Sequence, residues 1–161
     1  MSTQKSAAVL NSLLKVNGER TKIFETAKRA TKENDLKMLF SEFINLLENF
    51  NNDLEKSIIE LNGIPLNLNS RNNVLSRFYS NVKSAFEHNS REDLLNMLEY
   101  DEFVAMNKYR QSLSDNLNDL DYELHSYLKT HISMLQERHD RIKELGDQML
   151  TSHNYDKSFT F

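Results

Sequence analysis

Between Leu36 and Leu61 the apolar side chains Leu36, Phe40, Phe43, Leu47, Phe50, Leu54, Ile58 and Leu61 recur in steps of three and four. Only an α-helix brings side chains so spaced onto one face, because a strand would need a period of two. Glu42, Glu48, Glu55 and Glu60 all fall off the stripe, which carries no ionisable residue. A helix with one dry face of this length is stable only when packed against others. Just 3 Gly and 1 Pro among 161 residues leave too little turn chemistry for a many-stranded fold. The fold class is all-α, in one domain with one core.

Helical spacing also links Val9, Leu10, Leu13, Leu14, Ile23, Phe24 and Ala27, then Leu94, Leu98, Ala105, Tyr109 and Leu113, then Leu124, Leu128, Leu135, Ile142 and Leu145. These patterns predict long helices over about 4–31, 35–62, 91–114 and 119–150, forming a domain over 1–150. Asn34 and Asp35 can open the second helix. Its end falls at Leu61-Asn62-Gly63-Ile64-Pro65, where Asn62 or Gly63 suits a left-handed cap and Pro65 blocks continuation. Val74, Leu75, Phe78, Tyr79, Val82 and Phe86 predict a short crossover helix over 72–87. The architecture expected is therefore an antiparallel four-helix bundle, two hairpins joined by that crossover. Residues 151–161 lack helical period and read as a C-terminal tail, frayed or docking Phe159 and Phe161 on a groove.

The absence of Cys excludes disulfides, thiolate metal sites and a Cys nucleophile. With 20 Lys+Arg against 24 Asp+Glu, mixed along the chain, there is no basic footprint for a nucleic acid. No apolar run reaches the roughly 20 residues of a membrane span, and no apolar leader opens the chain, so a cytoplasmic protein is expected. Gly-rich phosphate loops, Gly-x-Ser-x-Gly elbows and His-Glu-x-x-His are missing as well, which leaves hydrolase and nucleotide-binding readings without residues.

Five segments in order, Ile23–Ala27, Leu39–Phe43, Leu61–Pro65, Asp101–Tyr109 and His139–Leu145, resemble the bacterial ferritin-like four-helix-bundle proteins catalogued as a domain of unknown function. The resemblance runs from about residue 8 to residue 147. It implies the ferritin-like fold, from a superfamily whose bundles often hold two metal ions, and no assigned activity.

A di-iron or di-manganese bundle takes Glu from two helices and Glu-x-x-His from the other two. Here the fourth helix offers Gln136-x-x-His139, with an amide where the bridging carboxylate belongs, and Glu137 lies about 200° round the helix from His139. What remains as metal candidates is Glu25, Glu102 and His139, with iron or manganese as the ion. The preferred reading joins Glu102, Tyr109 and His139 in a hydrogen-bonded cluster that fixes helix register, with Asn17 and Thr21 interrupting the first stripe nearby. No cofactor is then required. Function is expected at the surface, through a homo-oligomer or a protein partner, with a metal-binding protein as the alternative.

Overall fold

The computed structural model describes residues 3–67, 84, 91–116 and 118–158, with 146–158 as helix backbone only. Its elements are α1 (Thr3–Ala30), α2 (Asn34–Glu60), α3 (Arg91–Asp115) and α4 (Tyr122–Ser158). Among the described residues there is no strand. Of the expected crossover helix only Ser84 is described, helical and exposed; the remainder lies outside the described residues.

One apolar core draws on all four helices. The α2 stripe is its spine: Leu36, Phe40, Phe43, Leu47, Phe50, Leu54 and Ile58 are all buried. Against it α1 sets Leu10, Leu13, Leu14 and Phe24, with the Phe24 ring stacked on Phe43 at a centroid distance of 4.7 Å. Leu94, Leu98, Met106 and Leu113 come from α3, and Leu128, Leu135 and Ile142 from α4. The main packing pairs are α1 with α2 and α3 with α4, and α1 also meets α3. Each fully buried Leu or Phe contributes about 1.5–3 kcal/mol, so this shared core is the dominant stabilising term.

The ends of α2 are defined by local chemistry. Glu33, not Asn34 or Asp35, takes the N-cap position, because the Thr31 hydroxyl accepts the Glu33 N–H at 3.2 Å and turns the chain there. Asp35 is occupied instead by Arg91 of α3, whose guanidinium also bonds Glu33. At the other end Gly63 N–H donates to Ile58 O and Asn62 N–H to Ile59 O, both at 2.9 Å, which is the paired bonding of a Schellman cap. Asn62 supplies the left-handed residue, at φ 59. Gly63 is required for a different reason: a Cβ there would sit 2.9 Å from Ala7 Cβ on α1. The Asn11 amide then clamps the departing chain, donating to Ile64 O at 3.0 Å and accepting Leu66 N–H at 2.9 Å.

Asp121 caps α4 by accepting the Leu124 N–H at 2.8 Å. From there the helix continues to Ser158, which corrects the expectation of a non-helical tail from residue 151. The sequence 151–158 has no apolar stripe, but it has no Gly or Pro either, and extending a helix already nucleated needs no amphipathic period. Residues 159–161, and with them Phe159 and Phe161, lie outside the described residues.

Candidate functional site

Midway along the core, polar side chains from three helices replace apolar ones. On α1, Asn17 and Arg20 stand three residues apart on the inner face, and both are buried. Thr21 beside them is satisfied within its own helix, donating to Asn17 O at 2.9 Å. On α3, Glu102 and Tyr109 are seven residues apart, which returns them to nearly one azimuth about 10 Å along the axis. His131 of α4 completes the set at 2% exposure, and Phe50 of α2 walls it off with ring centroids 3.7 Å apart.

These groups form a continuous file. Arg20 grips Glu102 with two nitrogens, Nε to Oε1 at 2.8 Å and Nη2 to Oε2. Its Nη1 donates to Asn17 Oδ1 at 3.2 Å, and Asn17 Nδ2 donates to Tyr109 Oη at 2.5 Å. Tyr109 Oη in turn lies 3.3 Å from His131 Nδ1. Burial without partners would make each of these polar groups strongly unfavourable, and the file is how the sequence offsets that. The bidentate ion pair is the strong link, since both charges are dry and each would be stranded without the other.

Titration in this region follows from desolvation. Burial pushes the Tyr109 hydroxyl up to about 12, partly opposed by the Asn17 donor and the Arg20 charge. Burial lowers His131 to about 4, with a small opposing pull from Asp53. Tyr127, whose ring centroid is 4.3 Å from that of His131, is raised by burial and by the neighbouring Asp53 carboxylate. Beside the ion pair, burial and then the Glu102 charge raise Asp101 to about 6. At neutral pH the file thus holds one ion pair, a neutral phenol and a neutral imidazole. The phenol is far from deprotonation and the carboxylate of Glu102 is fully engaged, so the arrangement suits holding helices in register better than moving protons.

Of the candidates from sequence, Glu102 and Tyr109 do share one buried cluster, but His139 is not its histidine. At 100° per residue, His139 stands about 80° round α4 from His131 and about 60° from Ile142, at the edge of the stripe. There its Nε2 lies 3.7 Å from Glu99 Oε1 and its Nδ1 3.5 Å from Asp140 Oδ1. Glu25 lines a surface hollow with Lys28, Arg29, Lys37 and Ile44. The structure therefore does not bring Glu25, Glu102 and His139 together. Among the described residues no three His, Asp or Glu side chains gather as a metal site would require. Gln136 accepts from Arg110 at 2.7 Å and donates to Asp140 at 2.9 Å on the outside.

Arg20 and His131 are the members that reading by sequence missed. The signal for Arg20 was present: a Glu on the α3 stripe needs a cation, and Arg20 is the basic residue three positions from the stripe-breaking Asn17. His131 was also on the stripe of α4, three residues after Leu128 and four before Leu135.

Residues 5–115 match the model of the family described as Domain of unknown function (DUF2383). The chain belongs to that family. The DUF2383 match ends where α3 ends, so it takes in Asn17, Arg20, Glu102 and Tyr109 and leaves Tyr127 and His131 beyond it. Among curated proteins, none matches the chain.

Proposed function

We infer that this DUF2383 protein is a non-catalytic helical bundle that acts through its surface, by self-association or by binding a protein partner in the cytoplasm. The observation that carries this reading is the closed state of the buried polar file set against the exposure of large apolar residues outside. Both Glu102 oxygens are taken by Arg20, while Tyr100 and Phe103, three residues apart on α3, are 67% and 47% exposed. Aromatic side chains so placed are typical anchors of protein interfaces.

A ferritin-like antiparallel arrangement is part of the proposal. Its support is the order of contacts between α1 and α3: Asn17 meets Tyr109, and Arg20, further along, meets Glu102, earlier on its helix. Among the described residues no helix is long and apolar enough to cross a membrane. Nothing in the geometry favours the alternative of an iron or manganese centre at Glu25, Glu102 and His139, because Glu102 is already engaged and the other two stand elsewhere.

Sedimentation over a wide concentration range, for wild type and for Tyr100→Ser/Phe103→Ser, tests the reading. Association weakened at least about tenfold by the double substitution, with the fold intact, is expected of lost hot-spot anchors. A chain that is monomeric throughout, and whose crosslinking pattern in cells the substitution leaves unchanged, ends it.

A further inference from the structure

The polar file has a direction, and the direction leaves one proton without an acceptor. Arg20 has no acceptor atoms, so its contact at 3.2 Å fixes the oxygen of the Asn17 amide toward it and the nitrogen toward Tyr109. Asn17 is then a donor to Tyr109 Oη. The single phenolic proton has to point the other way, to His131 Nδ1 at 3.3 Å. A neutral imidazole that accepts at Nδ1 carries its proton on Nε2. That Nε2 is buried and has no hydrogen-bond partner in the protein, and neither has the buried Tyr127 Oη, on the adjoining ring.

Two orphaned polar atoms on neighbouring rings are a site rather than two separate defects. Buried donors in native proteins almost always find an acceptor, and where side chains supply none an ordered water does. The chemistry narrows the occupant. A metal ion would need a free lone pair on Nε2, which the proton occupies. An anion is opposed by Asp53, whose carboxylate lies close enough to act on both His131 and Tyr127. A neutral oxygen of water size satisfies the donor on His131 and the hydroxyl of Tyr127 together.

We propose that the α2–α4 seam holds a binding site for one water molecule, between His131 Nε2–H and Tyr127 Oη, with Asp53 of α2 beside it. This site extends the file from the Arg20–Glu102 pair through to the α2 surface, where Asp53 is exposed.

The test is a long-range proton–nitrogen correlation spectrum of the ¹⁵N-labelled full chain at neutral pH. His131 is assigned by its contacts to the Phe50 ring, which requires no substitution. The expected result is a single tautomer protonated at Nε2, with a cross-peak from that proton to water. Tyr127→Phe should abolish the water cross-peak while leaving the tautomer in place. Tyr109→Phe, which removes the proton donated to Nδ1, should release the tautomer. A ring protonated at Nδ1, an Nε2 proton with no water contact, or a water contact unmoved by Tyr127→Phe would each overturn the proposal.

Discussion

The two ends of the buried file are almost equally dry and quite differently satisfied. At one end Arg20 and Glu102 are about 97–99% buried and bonded to each other twice. At the other, His131 is as deeply buried, yet one of its nitrogens and the Tyr127 hydroxyl have no protein partner. Burial alone therefore does not make a position rigid or specific. What differs is how the desolvation is compensated: by a bidentate ion pair on the α1–α3 side, and by ring stacking against Phe50 on the α2–α4 side. The closed end lies within the DUF2383 match, whereas His131 and Tyr127 of the open end lie outside it.

The sharpest way to break this contrast is to strand a charge. Arg20→Met leaves Glu102 buried and unpaired, and should destabilise the fold by about 3–5 kcal/mol in denaturant unfolding. Adding Glu102→Leu should recover most of the loss, because replacing both members of a buried pair with apolar groups is often neutral or better. If the double variant is as unstable as the single one, the pair is not the organising feature of that end and the comparison fails.

This pair also shows what a single sequence does and does not reveal. Glu102 and Tyr109 stand on an apolar stripe, so their burial was legible; the all-α class and the α2 spine were legible from the same periodicity, and Asn62 from the cap chemistry. Arg20 was hidden because residue type argues for solvent, and only the partner across the core reverses that. Steps of three and four admit both His131 and His139, so the stripe of α4 does not by itself choose between them. The course of α4 beyond residue 150 was illegible since continuation of a helix leaves no apolar pattern.

Acid should separate the two ends next, with opposite signs. His131 is lowered to about 4 from an ordinary 6.5, so the unfolded chain takes up its proton first. Stability from this group is complete above pH 6.5 and falls progressively as pH drops toward 4, by at most about 3 kcal/mol. Asp101, at the closed end, is raised to about 6 from 3.8, so the folded chain takes up that proton first and gains stability as pH falls from 6 to 3.8. Unfolding free energies measured from pH 7 to 4 should therefore decline more steeply in Asp101→Asn than in wild type, and less steeply in His131→Gln. Parallel curves for all three chains would mean that neither end titrates as its burial requires.

The smallest expected effect concerns what holds the α2–α4 seam from outside. Glu42 of α2 accepts from Arg141 at 2.5 Å and Arg138 at 3.4 Å, both on α4, and all three side chains are at least 29% exposed. Ion pairs in this setting contribute about 0–1 kcal/mol and are weakened by salt. Glu42→Gln should lower stability by no more than about 0.5 kcal/mol at low salt, and by less at high salt. A much larger loss, insensitive to salt, would mean that the surface pairs rather than Phe50, His131 and Tyr127 close this seam. The open end would then be a wet gap held by charges at its rim, and its stacked rings would have little part in setting the helix packing.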